Sequence, residues 1–212
     1  MATAVGFLAL APGAHAATVS VTPQKACYRS GETIGMSGSG FTPGGAVDIA
    51  SDGQSIGSTT ADGSGNFGGR LQVASPTQRL KTYTATDQSN PANNASAQLR
   101  VSPFDVVVSP RNGSPGRRLR IVARGFTTGR TLYAHIVRGR QRSNVRIGRL
   151  RGPCRRLRVR RRVFRGNTQP GTYIVQFDTR RRYSARTPVK QRFRVTIFRT
   201  FGARASQISI SG

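Results

Sequence analysis

Four short landmarks occur twice in this chain, in the same order, and that repetition limits the fold more than any other feature. Val19-Ser-Val21-Thr-Pro23 is followed by Gly40-Phe41-Thr42-Pro43-Gly44, by Thr82-Tyr83-Thr-Ala-Thr-Asp87 and by Ala97-Gln-Leu99-Arg-Val101. The second set runs Val106-Val-Val108-Ser-Pro110, Gly125-Phe126-Thr127-Thr128-Gly129, Thr172-Tyr173-Ile-Val-Gln-Phe-Asp178 and Gln191-Arg-Phe193-Arg-Val195-Thr-Ile197. The offset is about 85–90 residues, the size of a small β-sandwich domain. The 212-residue chain therefore reads as two similar domains in tandem.

The local pattern says what each domain is made of. Val, Ile, Thr, Tyr and Phe recur in short runs of period two, and no window carries an apolar 3.6-residue period across three helical turns. With 25 Gly and 11 Pro spread along its length, the chain suits many short strands and not long helices. Alternation predicts strands at 18–23, 32–40, 45–52, 54–60, 66–73, 80–87 and 95–102. The second half offers 104–110, 117–125, 131–139, 144–150, 155–164, 172–178 and 190–199. Seven each is the number an immunoglobulin-type sandwich uses. Asp52-Gly53 and Asp62-Gly63 are turn signals between strands.

The V-x-V-x-P opening, the G-F-x-P-G turn and Ala61-Asp62-Gly-Ser-Gly65-Asn-Phe67 resemble bacterial immunoglobulin-like domains, including the IPT/TIG type. The resemblance covers residues 17–200. It implies an all-β fold of two tandem immunoglobulin-like sandwiches with surface or secreted use, and it carries no catalytic residue over. Antibody domains differ, since this chain lacks Trp and has no cysteine pair within either half. The expected organisation is a signal peptide at 1–16, a first domain at 17–102, a second at 103–200 and a tail at 201–212.

Charge separates the halves. The net charge is +27, yet residues 17–102 carry six cations against five anions and residues 103–212 carry 28 cations against Asp105 and Asp178 alone. Arg155-Arg-Leu-Arg-Val-Arg-Arg-Arg-Val163-Phe164 alternates: Leu157, Val159 and Val163 share one face, and Arg156, Arg158, Arg160 and Arg162 share the other. The 117–124 run places Leu119, Ile121 and Ala123 inward and Arg118, Arg120 and Arg124 outward. If these segments are strands E and B of a sheet ordered A-B-E-D, they are neighbours and their arginines form one plane. Arg192 and Arg194 face out from the opposite sheet. Guanidinium groups suit bidentate contacts to phosphate, sulfate or carboxylate. Expected partners are an anionic cell-wall polymer, an acidic polysaccharide or lipid head groups, with nucleic acid bound only non-specifically because no aromatics interleave the basic run. A solvated, salt-screened face is the other reading.

The first residues form a short apolar stretch ending in Ala14-His15-Ala16, an A-x-A pattern that marks export. Neither it nor any later run reaches the about 20 apolar residues a membrane helix needs. Export permits a disulfide between the two cysteines, Cys27 and Cys154. Loop positions in the fold place both near the join between the domains, where a bond would fix the interdomain angle; two independent thiols are the alternative. Two cysteines and one histidine beyond the leader, His135, do not make a zinc site, and no metal or cofactor is expected. His135 sits mid-strand with no acid or nucleophile motif beside it and reads as structural. No paired carboxylates, P-loop or G-x-S-x-G occur. The sequence thus points to a non-enzymatic secreted or wall-associated structural or adhesive protein whose arginine-rich half binds polyanions. The alternative is a spacer or accessory module that assembles with another envelope protein.

Overall fold

The computed structural model describes residues 16–187 and 190–198. The leader, apart from Ala16, and the 201–212 tail lie outside the described residues. Sixteen strands and no helix make up the described chain, so no helix in it is long and apolar enough to cross a membrane. The strands fall into two units. The first contains residues 1–25, 32–73 and 80–99, and the second contains 26–31, 74–79 and 100–212. The division is not the simple cut expected at Pro103. It falls inside a strand, and two short pieces of the first half of the sequence belong to the second unit.

In the first half the strands are β1 (Thr18–Thr22), β2 (Tyr28–Arg29), β3 (Glu32–Ser39), β4 (Ala46–Ser51), β5 (Gln54–Thr60), β6 (Phe67–Val73), β7 (Arg79–Asp87) and β8 (Asn94–Ser102). One sheet is ordered β1-β3-β6 and the other β2-β8-β7-β4-β5. The second half repeats the plan with β9 (Asp105–Ser109), β10 (Asn112–Gly113), β11 (Arg118–Arg124), β12 (Thr131–Arg138), β13 (Gln141–Arg149), β14 (Leu157–Arg162), β15 (Gly171–Asp178) and β16 (Gln191–Ile197). Its sheets are ordered β9-β11-β14 and β10-β16-β15-β12-β13. The arrangement is the immunoglobulin-like sandwich in both halves.

Two details depart from the sequence reading. Each half has an eighth strand of two residues, β2 or β10, that runs parallel to the last strand, with Tyr28 opposite Val101 and Gly113 opposite Ile197. The fourth full strand does not complete an A-B-E-D sheet. It hairpins onto β4 or β12 and joins the five-stranded sheet. Tight turns force this. Asp52 (φ 51°) and Gly53 (φ 82°) are both left-handed, which is the backbone of a two-residue hairpin loop. Gly139-Arg140 closes the corresponding β12–β13 hairpin, with Arg138 opposite Gln141.

The core of each unit lies between its two sheets. In the first, Ile34, Met36, Val47, Phe67, Tyr83 and Ala85 are buried. In the second, Leu119, Ile121, Phe126, Leu132, Ile147, Val175, Phe177 and Val195 form one cluster. Burying one such Leu, Ile or Phe contributes about 1.5–3 kcal/mol. The turn that opens the second landmark of the second half needs glycine: Gly125 adopts φ 73°, and a Cβ there would come within 2.4 Å of the Pro103 carbonyl oxygen.

Cys27 and Cys154 are joined, with Cα atoms 5.2 Å apart and a sequence separation of 127. Both belong to the second unit, because Cys27 lies in the 26–31 piece. The bond is therefore internal to that unit, which differs from the expected link between two domains. Tyr28 beside it is buried, and the Arg29 guanidinium lies 5.7 Å from the Phe104 ring.

Candidate functional site

The three-stranded sheet of the second unit carries the arginines singled out in the sequence. β14 lies antiparallel to β11, and the register sets Arg118 opposite Arg162, Arg120 opposite Arg160 and Val122 opposite Arg158. Directly opposed residues have Cβ atoms about 4.5–5.5 Å apart. Alternation along both strands turns these five arginines to the outside, while Leu119, Ile121 and Ala123 are buried beneath them. None of the five has a hydrogen-bond or ion-pair partner among the described residues. Arg120, Arg158, Val159 and Arg160 line a hollow of about 310 Å³.

Three neighbouring arginines behave differently. Arg156 lies just before β14, in an isolated bridge with Arg151, so it sits at the end of the ladder. Arg124 faces out as expected but is already occupied. Its Nε and an Nη donate to the two oxygens of Asp105 at 2.9 and 2.6 Å, across the β9–β11 pair. Arg161 has the inward parity of Leu157 and Val159, and its Nε donates to the Ile147 carbonyl at 3.1 Å. A cation on the inward face thus satisfies a backbone oxygen of β13.

The opposite face of this unit holds a feature not read from the sequence. One rung of the five-stranded sheet is polar across four strands: Asn144, His135, Gln176 and Arg192 are successive cross-strand partners. His135 Nε2 donates to Asp178 Oδ1 at 3.0 Å, and Nδ1 lies 2.6 Å from Asn144 Oδ1. Gln176 Nε2 donates to Asp178 Oδ2 at 2.7 Å and to the Ser184 carbonyl at 3.0 Å. Arg192 Nε donates to Gln176 Oε1 at 2.9 Å. His135, Gln176 and Asp178 have no exposed surface. Segment 179–187 packs over them, with Tyr183 edge-on to the imidazole at 5.9 Å. The expectation that no acid lies beside His135 is therefore corrected: Asp178 is there, 43 residues along the chain.

Burial by itself lowers the His135 pKa, but hydrogen bonds to Asp178 and Asn144 outweigh it and raise the value above the ordinary range. Burial pushes Asp178 up, and the bonds from His135, Gln176 and the Arg180 amide bring it below the ordinary carboxylate value. Acceptor oxygens beside both ring nitrogens favour the protonated form of His135. A fully buried ring with a partner on each nitrogen is a clasp for the covering segment, since it offers no reacting atom to solvent.

Asp87 is the first unit's counterpart of Asp178 in the repeat. It is also fully buried, and its oxygens accept from the amides of Thr42 (2.7 Å), Ser89 (2.9 Å) and Asn90 (3.3 Å). Those bonds, Thr42 first, hold its pKa down at about 2. Asp62 in the Asp62-Gly-Ser-Gly-Asn66 turn accepts from the amides of Ser64 and Asn66, both at 2.9 Å, which makes it a turn-forming side chain. No group of three or more potential metal-ligating side chains occurs among the described residues.

No family model matches this chain, and no curated protein does. Solved structures with a similar course of the chain include a Corynebacterium diphtheriae protein described as membrane anchored, at 13% identity and TM-score 0.36, covering 87% of this chain and 57% of that one. The adhesin InvE of Yersinia pseudotuberculosis matches at 11% identity and TM-score 0.35, over 85% of this chain and 58% of its own. The ligand-binding domain of human OSCAR matches at 14% identity and TM-score 0.31, over 86% and 98% respectively. The chain thus spans less than two thirds of the first two of these structures.

Proposed function

We propose that this chain is an exported, non-enzymatic binding protein whose second unit holds anionic polymers on the arginine ladder of its three-stranded sheet. The observation that carries the reading is the register: Arg118 opposite Arg162 and Arg120 opposite Arg160. Like charges directly opposed on one face destabilise a sheet unless anions lie between them. The ladder stands on a buried apolar face, so the strand register fixes where its arginine side chains leave the sheet. Export is supported by the disulfide, because such bonds persist in oxidising compartments, and by the A-x-A leader. Anionic wall polymer, acidic polysaccharide and lipid head groups share the chemistry the ladder suits. The buried state of His135 supports a role without catalysis.

Retention on a column bearing a phosphorylated or sulfated polymer, measured against salt, tests this. Changing Arg118, Arg120, Arg158, Arg160 and Arg162 together to Ser is expected to flatten the dependence of retention on salt. An unchanged slope would remove the ladder from consideration.

A second reading, a module that assembles with another envelope protein, draws on the first unit. Its edge strand β5, Gln54-Ser-Ile-Gly-Ser-Thr-Thr60, carries no charge and no proline, and most of it is exposed. Such an edge accepts an added strand. A salt-insensitive partner lost on changing Ile56 to Lys would favour it.

A further inference from the structure

A second basic site lies on the other sheet of the same unit. Tyr133 on β12 and Arg146 on β13 are direct cross-strand partners on the outer face, and Asn144 lies two residues before Arg146 on that face. With Arg181 and Arg182 they line a cleft of about 760 Å³, within the about 300–1,000 Å³ usual for small-molecule sites. Arg146, Arg181 and Arg182 are exposed and have no ion-pair partner among the described residues.

The clasp beneath the cleft explains why its parts stay together. Asp178 Oδ1 accepts from the Arg180 amide at 2.8 Å, and Gln176 holds the Ser184 carbonyl at 3.0 Å. The two bonds pin the chain on either side of Arg181 and Arg182. Asn144 Oδ1 is turned to His135, which leaves its amide hydrogens available to the cleft. The Tyr133 ring lies nearly parallel to the His135 imidazole, with an interplanar angle of 20° and centroids 6.5 Å apart.

We propose that this cleft binds one acidic hexose unit of a polysaccharide. The three components match the three faces of such a sugar. Tyr133 offers an aromatic surface to the apolar face of the ring. The guanidinium groups of Arg146, Arg181 and Arg182 take the carboxylate or sulfate in bidentate fashion. The Asn144 amide donates to a ring hydroxyl. The arginine ladder has no such combination, since its neighbouring outward side chains on β9 and β11, Val107, Ser109, Val122, Arg124 and Asp105, include no aromatic ring. The cleft and the ladder therefore differ in kind: the ladder reads charge along a polymer, and the cleft reads a ring that bears charge. The proposal stands whether or not the ladder binds.

The test is calorimetric titration of the full chain with four probes: tetragalacturonate, a chondroitin sulfate tetrasaccharide, the uncharged galactotetraose and sodium sulfate. Saturable binding of at least one acidic tetrasaccharide is expected, with the preferred one showing whether carboxylate or sulfate is read. The uncharged tetraose and free sulfate are each expected to bind at least about tenfold more weakly, a difference of about 1.4 kcal/mol. Arg181→Ser with Arg182→Ser, both exposed and unpaired, should lose at least about tenfold toward the acidic tetrasaccharide. Tyr133→Leu should lose a similar factor while Tyr133→Phe binds like the wild type, which separates ring stacking from folding. Three results would overturn the proposal: equal binding by the Arg181/Arg182 variant, equal binding by Tyr133→Leu, or sulfate ion binding as tightly as the saccharides.

Discussion

The two units share one strand plan and one buried aspartate, yet they treat their exposed strands in opposite ways. In the first, β5 lies at the edge of its sheet without a single charge, and Ile56 is 48% exposed. In the second, the corresponding edge strand β13 carries Arg142, Arg146 and Arg149, and the other edge, β14, carries Arg158, Arg160, Arg161 and Arg162. Charge at an edge prevents pairing with another chain. The difference teaches that net charge here is not a bulk property. It is laid on particular strands of a scaffold that does not need it, since the neutral unit folds by the same plan.

The sharpest way to separate the units is to remove what only one possesses. Changing Cys27 and Cys154 to Ser opens a 127-residue loop and should cost the second unit about 4–5 kcal/mol. Calorimetry should show its transition falling while that of the first unit stays. A common shift of both would end the claim that the bond is internal to one unit.

Asp178→Asn leaves His135 buried without its carboxylate, and breaking this buried pair should cost about 3–5 kcal/mol. The loss should appear as faster amide exchange in 179–187. The matching Asp87→Asn change removes the charged acceptor of three amides in the first unit and should cost about 2 kcal/mol, read as a lower denaturation midpoint. Similar costs from both would show that the buried aspartates serve the same purpose.

Acidity offers a comparison without mutation. Asp87 has its pKa held at about 2, below the ordinary carboxylate value, first by its bonds from Thr42. A carboxylate depressed in the folded state stabilises above the unfolded value, and that stability disappears as pH falls through the folded one. The first unit should therefore weaken between about pH 4 and pH 2. The second should do so as well, because Asp178 is also depressed. It alone should weaken on the alkaline side, since the raised His135 contributes stability that is complete below its unfolded pKa and lost as pH rises through the folded one. Denaturation midpoints followed from pH 2 to 9 check both limbs.

The smallest expected effect concerns the bare edge. Ile56→Lys should change stability by less than about 0.5 kcal/mol and lower self-association on light scattering at high concentration. An unaltered scattering signal would show that β5 does not need protection.

Much of this was legible in advance because β-strands display their two faces in their sequence. The Leu119, Ile121 and Ala123 alternation against Arg118 and Arg120 was enough to place both sides of β11, and the same held for β14 up to Arg161. That residue broke the pattern because its partner is a carbonyl on β13, which no local period reveals. β2 and β10 were invisible since two residues cannot alternate. The start of β13 was hidden because Gln141-Arg-Ser-Asn144 has no apolar face to show. The cleft and its clasp were out of reach for another reason. Tyr133, Asn144, Gln176 and Arg192 come together only through the register of four strands, and Thr82-Tyr83…Asp87 and Thr172-Tyr173…Asp178 signalled a repeat without signalling that its last residue was buried.

The disulfide also has a meaning in time. A ribosome adding about 5–20 residues per second needs roughly 6–25 s to deliver Cys154 after Cys27. Through that interval Cys27 has no other thiol in the chain to react with, so the chain alone offers no wrong pairing. The second unit cannot complete itself from its own stretch of sequence. A fragment beginning at 103 would lack Cys27 and Tyr28, and would leave Cys154 as a thiol without its partner. Dissection of this protein has to retain the 26–31 segment, supplied in the same chain or as a separate peptide.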